Sequence, residues 1–218
     1  MPTDRVLVVA PHIDDEVLGV GGTIAKHVET GDDVSVIFIA DRDPPRKEIQ
    51  RHQAAAARLS LGYHQSFFLG MRDMELDVRS RKIIEHLEYY YEQIKPTVVY
   101  TCWSGDYHTD HRAVHEAVNV VCRPLGPLAP RELYSYEISQ YVASQLPGSE
   151  PFVPNIFNVL SPTQVEKKLD AFRKYTDEIE DFPHPRSDDN ILNFLTHRGM
   201  CAGADAAEAF MLLRKVTL

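Results

Sequence analysis

The residues Arg5–Ala10 form an apolar, valine-rich run that stops at Pro11. A run of this kind is typical of a strand buried on both faces of a parallel sheet. Apolar residues at helical spacing follow over 16–29, and 34–40 is a second strand-like run. A strand, a helix and another strand predict a βαβ unit with a right-handed crossover and parallel strands. The opening of the chain therefore predicts an α/β fold.

Helices and strands continue to alternate along the rest of the chain. The predicted helices cover residues 46–61, 78–95, 111–121 and 162–179. The predicted strands cover 66–69, 97–101 and 132–137, and an apolar run predicts a final buried element within 204–218. We therefore expect a single domain, residues 1–218, with a Rossmann-like three-layer fold in which helices cover both faces of a mostly parallel sheet.

The composition argues against several classes of function. With 218 residues, 44% of them hydrophobic and 25% charged, the chain is typical of a soluble globular domain and predicts no membrane span. Its net charge of −9 argues against nucleic acid as a partner, because phosphate binding needs clustered Lys and Arg. Three widely spaced cysteines and the lack of a signal-peptide pattern favour reduced thiols in the cytoplasm. A small molecule is the expected partner.

Residues 11–16, Pro-His-Ile-Asp-Asp-Glu, directly follow the first predicted strand. Ligands of open parallel sheets bind beyond the carboxyl ends of the strands, and imidazole and carboxylate groups are ligands of divalent metals. Three adjacent acids also repel one another unless a cation or a helix N-terminus compensates. His12, Asp14 and Asp15 are therefore candidates for a metal site, while acids in the first turn of a helix remain an equally good explanation of this cluster alone.

A dinucleotide site is the other interpretation that this turn raises. Gly19, Gly21 and Gly22 follow the first strand, but their spacing differs from the G-x-G-x-x-G pattern. Acidic residues also occupy the turn where phosphate would bind, and they would repel it. The sequence therefore argues against dinucleotide binding.

A second polar cluster, residues 106–111, follows the core strand predicted over 97–101. Because both clusters follow strands of one parallel sheet, we expect them to converge on one ion. His111 and His115 have helical i, i+4 spacing, but the H-E-x-x-H pattern of zinc proteases is absent, so His115 is interpreted as a packing or surface residue. An aspartate such as Asp110 commonly orients a neighbouring histidine ligand.

The two motifs resemble those of the LmbE-like, or PIG-L, family of zinc-dependent N-acetylglucosaminyl de-N-acetylases. Residues 11–16 resemble the family's A-H-P-D-D-E motif, and 106–111 (Asp-Tyr-His-Thr-Asp-His) resemble its D-x-H-P-D-H motif. Ile13 and Thr109 replace two prolines of the family pattern, neither of which is a ligand. Weaker similarity extends to residues 207–210, Ala-Glu-Ala-Phe, so that the resemblance covers nearly the whole chain.

The resemblance implies a role for each residue that matches a motif. It implies that zinc is bound by His12, Asp15 and His111; another divalent metal, such as Fe²⁺, is the alternative. It implies that Asp14 is the general base, that protonated His108 stabilises the oxyanion, and that Asp110 orients this histidine or the metal site. Substrate-binding roles are implied for three further residues, Arg72, Asp73 and Asp106.

The activity implied is removal of the acetyl group from an N-acetylated sugar or sugar conjugate, giving acetate and a free amine. The group attached to the sugar would be recognised by variable loops over 140–162 and 181–198. Two alternatives remain open: a non-haem iron enzyme that uses the same two histidines and carboxylate, and a metal-containing binding module without turnover. The sequence also leaves open the identity of the conjugate and whether the chain forms a homo-oligomer.

Overall fold

The first strand, β1 (Arg5–Ala10), lies inside a seven-stranded sheet whose strand order is β3-β2-β1-β4-β5-β7-β6. The structure is a computed structural model that describes residues 3–77, 81–126, 129–140 and 150–217. The other strands are β2 (Asp33–Asp41), β3 (Gln65–Arg72), β4 (Val98–Cys102), β5 (Glu132–Tyr136), β6 (Ile156–Val159) and β7 (Ala207–Lys215). Strands β1 to β5 pair in parallel, whereas β7 is antiparallel to both β5 and β6.

Six helices pack against this sheet within the described residues. They are α1 (Asp15–Glu29), α2 (Arg46–Leu61), α3 (Arg81–Ile94), α4 (Thr109–Val121), α5 (Pro162–Phe172) and α6 (Asp188–Ala202). Val99 of β4 faces Leu87 of α3 and Val118 of α4, whereas the next residue, Tyr100, contacts His27 of α1. Successive side chains of a strand point to opposite faces, so helices cover both faces of the sheet, as predicted.

The parallel strands end at one edge of the sheet, and this edge positions the site. Strand β1 pairs in parallel with β2 and β4, and β2 pairs in parallel with β3. The segments that follow β1, β2, β3 and β4 therefore emerge side by side. These segments contain most of the polar residues discussed below.

Several element boundaries differ from the sequence predictions. The helix predicted over 111–121 begins at Thr109, because His108 caps it, and the helix predicted over 78–95 covers Arg81–Ile94, with residues 78–80 outside the described part. The helix predicted over 162–179 ends at Phe172, and the residues after it contact two other helices: Tyr175 binds Glu16 of α1, and Thr176 binds Gln53 of α2. Two predicted loops also contain regular structure, since β6 lies within 140–162 and most of α6 within 181–198.

None of the helices in the part of the chain described here is long and apolar enough to cross a membrane.

Candidate metal centre

The turn between β1 and α1 carries three of the predicted site residues. Asp15 is the first residue of α1, and its carboxylate accepts a hydrogen bond from the backbone N–H of His12 at 2.9 Å. Asp14 has a φ of 125°, which side-chain-bearing residues rarely adopt. The carboxylate of Glu16 accepts the backbone N–H of Asp14 at 3.2 Å and also binds the hydroxyl of Tyr175. The turn is thus held in a strained conformation, as is common at functional sites.

The structure brings together His12, Asp15 and His111, the three predicted metal ligands. Oδ2 of Asp15 lies 3.4 Å from Nδ1 of His12 and 3.3 Å from Nε2 of His111. The two imidazole nitrogens are 3.3 Å apart. Three donor atoms from the ends of two strands therefore form a nearly equilateral triangle.

This triangle has the dimensions of a tetrahedral zinc site. Zinc binds nitrogen and oxygen ligands at about 2.0–2.2 Å, so tetrahedral ligands lie roughly 3.3–3.6 Å from one another. Asp15 and His111 are almost fully buried, where an uncompensated carboxylate would be costly. Burial lowers the pKa of His111, but the charges and hydrogen bonds of Asp15 and Asp106 together outweigh it and raise this pKa to about 9. The donor set therefore fits a divalent cation.

Each histidine of the triangle has a carboxylate on its other ring nitrogen. Nδ1 of His111 lies 2.8 Å from Oδ2 of Asp106, and Nε2 of His12 lies 3.1 Å from Oδ2 of Asp110. Such carboxylate–histidine pairs fix the ring orientation of metal ligands. Asp106, which the resemblance implied as a substrate-binding residue, lies behind His111 and is only 3% exposed. Its position is that of a ligand-orienting group.

Asp110 also anchors the turn that follows β3. Its carboxylate accepts the backbone N–H of Met74 at 2.8 Å and that of Leu76 at 3.3 Å. This turn places Oδ1 of Asp73 at 3.1 Å from Nε2 of His12. The side chain of Asp110 therefore contacts His12, the candidate metal ligand, and its backbone N–H donates to His108.

A cavity of about 240 Å³ adjoins the triangle. It is lined by His12, Ile13, Asp14, Ala40, Arg42, Gln50, Asp73, Met74, His108 and Arg186. Most of these side chains are polar. Burial raises the pKa of Asp14 to about 7, although the positive charge of Arg186 opposes this rise. A carboxylate with a pKa near neutrality is suited to accepting and returning a proton.

His108 reaches the cavity from the N-terminus of α4. Its Nδ1 accepts the backbone N–H of Asp110 at 3.2 Å, which caps the helix. Burial and the neighbouring His111 and His12 lower the pKa of His108. This environment favours a neutral ring that carries its proton on Nε2, whereas the resemblance implied a protonated His108.

Three polar residues that line the cavity fall outside the predicted site: Arg42, Gln50 and Arg186. So does Glu178, which contacts all three. Arg42 directly follows β2, so the rule for strand ends could have identified it. Arg72, a predicted substrate-binding residue, does not line this cavity but lines a second one that adjoins it. Its side chain is 61% exposed and pairs with Asp43 and Glu75.

Known proteins resemble this chain in sequence and in fold. A deacetylase from Escherichia coli named YaiS, itself uncharacterized, is 27% identical over 177 residues, which cover 78% of this chain and 89% of the relative. The N,N'-diacetylchitobiose deacetylase of Pyrococcus horikoshii, solved with its inhibitor MPG, has a TM-score of 0.77 at 22% identity, over 95% of this chain and 83% of that one.

The same fold also occurs in GalB, the 4-carboxy-2-hydroxymuconate hydratase of Pseudomonas putida, with a TM-score of 0.74 at 21% identity over 98% of this chain and 97% of that one. At such identities the structural matches establish the fold alone. Residues 7–122, which contain both polar clusters, match the family model PIG-L, described as GlcNAc-PI de-N-acetylase. The chain therefore belongs to the PIG-L family of deacetylases.

Proposed function

We propose that this protein is a zinc-dependent deacetylase that hydrolyses the acetamide of an N-acetylglucosamine-type sugar or sugar conjugate, giving acetate and a free amine. The observation that carries the proposal is the donor triangle of His12, Asp15 and His111, with the spacing of a tetrahedral zinc site, beside a polar cavity that Asp14 lines. Three protein ligands are typical of catalytic zinc sites, because they leave one position open.

The roles of metal and base are separate in this proposal. When bound, Zn²⁺ supplies a Lewis acid that polarises oxygen and makes water nucleophilic near neutral pH. Asp14 accepts the proton of the attacking water and returns it to the departing nitrogen. It lines the cavity together with His12 and His108, while the strained turn fixes its backbone.

His108 stabilises negative charge on the carbonyl oxygen during attack. Nδ1 of His108 accepts the N–H of Asp110, so the neutral ring carries its proton on Nε2. This Nε2–H is the donor to the carbonyl oxygen. A preorganised donor in a site that excludes water contributes strongly to catalysis, because it needs no reorientation as charge develops.

The groups that line the cavity are suited to a hydroxylated substrate. The carboxylate of Asp73, the guanidinium of Arg42 and the amide of Gln50 supply acceptors and donors for sugar hydroxyls. These groups come from segments that follow β2 and β3 and from α2. A second cavity of about 600 Å³ shares Arg42, Asp73 and Met74 with the first, which leaves room for the group attached to the sugar.

The proposal is tested by measuring acetate release from a panel of N-acetylglucosamine conjugates. Protein stripped of metal and then reconstituted with Zn²⁺ should release one acetate for each amine formed, with and without oxygen. Asp14→Asn serves as the control for contaminating activity. A strict requirement for oxygen would favour the non-haem iron alternative. A protein that does not cleave amides but hydrates an unsaturated acid would favour a GalB-like reaction. Tight metal without any turnover would indicate a binding module.

A further inference from the structure

The segment between α5 and α6 contributes two buried polar side chains and one that is mostly buried to the surroundings of Asp14. They are Tyr175, Glu178 and Arg186. This segment lies beyond residues 7–122, the part of the chain that matches the family model. Each of the three side chains is connected to Asp14, either directly or through one intermediate residue.

Arg186 bridges two buried carboxylates. Its Nη2 lies 3.1 Å from Oδ2 of Asp14, and its Nη1 binds Oε2 of Glu178. The Arg186 side chain is 14% exposed, and those of Asp14 and Glu178 are 3% and 5% exposed. Charge-assisted contacts made by a planar guanidinium fix direction as well as distance, and little water is present here to weaken them.

Glu178 is itself held by other elements. Its Oε1 lies 3.0 Å from Nη2 of Arg42, which follows β2, and accepts the amide of Gln50 of α2 at 3.1 Å. The position of Arg186 is therefore fixed relative to the sheet and not only by its own segment.

The backbone of Asp14 depends on the same segment. Tyr175 binds the carboxylate of Glu16, which in turn accepts the Asp14 N–H. This contact acts on the backbone of Asp14, whose φ is 125°. The guanidinium of Arg186 acts on its side chain, through the contact with Oδ2.

We propose that Arg186 is a positioning residue for Asp14, which holds the carboxylate of the base towards the reacting water. This inference rests on the proposed function. Arg186 also lines the cavity, and a substrate-binding role would produce a different kinetic result. A group that acts through Asp14 affects turnover, whereas a group that only binds substrate affects KM.

A double-mutant cycle on the zinc-loaded enzyme distinguishes these roles. The variants are Arg186→Met, Asp14→Asn and the double variant, since asparagine tolerates a positive φ. We expect Arg186→Met to lower kcat roughly 10²-fold with KM unchanged, the usual effect of a misplaced catalytic group. The double variant should be no slower than Asp14→Asn alone. Arg173→Met lies in the same segment, but Arg173 pairs with Asp188, whose side chain is 38% exposed. It is the matched control and should retain full activity.

Two results would overturn the proposal. One is that Arg186→Met raises KM and leaves kcat unchanged; the other is that the two single-variant losses in kcat multiply in the double variant. The same cycle measured by urea unfolding of the metal-free protein needs no activity. If the side chains of Arg186 and Asp14 are paired, the changes in the urea midpoint caused by the two single substitutions should not add up to the change in the double variant. Additive changes would also reject the proposal. A wild-type protein that releases no acetate but retains this coupling would reject the proposed function and uphold the pair.

Discussion

Oδ2 of Asp106 lies 2.8 Å from Nδ1 of His111, and both side chains are buried. The contact leaves Nε2 of His111 directed at Asp15, so Asp106 selects the nitrogen that is available to a metal. Asp106, which the sequence resemblance implied as substrate-binding, is thus placed to orient a candidate metal ligand.

Asp106→Asn should weaken zinc binding by about 10–100-fold, because loss of an orienting carboxylate has this effect on metal affinity. Competition with a chromogenic chelator measures the change. Asp32→Asn is the matched control, since Asp32 makes the same kind of contact with Nδ1 of His27, at 2.8 Å, away from the centre. Equal zinc affinity in the two variants would contradict the assignment of Asp106.

The adjacent residues Asp14 and Asp15 should respond differently to the same substitution. Asp15→Asn replaces the anionic corner of the donor triangle with a neutral amide, so metal content should fall. Asp14→Asn should retain zinc but lose about 10²–10⁴-fold in kcat, the usual contribution of a positioned general base. Metal analysis of both purified variants, together with their acetate-release rates, tests whether Asp15 is the metal ligand and Asp14 the base. Equal loss of zinc from both would contradict it.

His108→Asn should lower kcat by about 10²–10³-fold, as loss of an oxyanion donor does. Asparagine is a good N-cap, so it can still accept the Asp110 N–H and preserve α4 while removing the donor at Nε2. His115→Asn is the control, because His115 lies in the same helix and bonds the carbonyl of Cys102 instead of lining the cavity. Steady-state kinetics at saturating zinc should separate the two variants, and similar losses in both would argue against the role of His108.

The sequence was sufficient to place both polar clusters at one edge of the sheet. Valine-rich strands such as β1 are recognisable from local composition, and parallel pairing then brings their carboxyl ends together. His12 and His111 could therefore be assigned to one site although 99 positions separate them. This inference required only strand identity and direction.

Arg186 and helix α6 were harder to predict, for two different physical reasons. The place of Arg186 depends on long-range packing of its segment onto α1, which no local pattern encodes. Helix α6 buries only Ile191, Leu195 and Gly199, while Leu192 and Met200 are exposed, so its apolar periodicity is blurred. The cap residues Ser187 and Gly203 were the available signals for this helix.

The buried ion pair of Lys168 and Glu208 lies against the middle of α1. Glu208 accepts the backbone N–H groups of Gly22 at 2.9 Å and Thr23 at 2.7 Å, while Lys168 donates to the carbonyl of Leu18 at 2.8 Å. In a regular helix the carbonyl of Leu18 and the N–H of Gly22 would bond each other. The two charged side chains also bind these backbone groups and so join α1 to α5 and β7.

Lys168→Met should lower the free energy of unfolding by about 3–5 kcal/mol, because it leaves the carboxylate of Glu208 buried without its cation. The neighbouring substitution Lys167→Met is the matched control. Lys167 pairs with Glu29 at the surface, where ion pairs contribute roughly 0–1 kcal/mol. Urea unfolding of the metal-free protein measures both changes without interference from metal binding. Equal stability of the two variants would mean that the buried pair is not a principal support of α1, and hence not of the turn that carries Asp14 and Asp15.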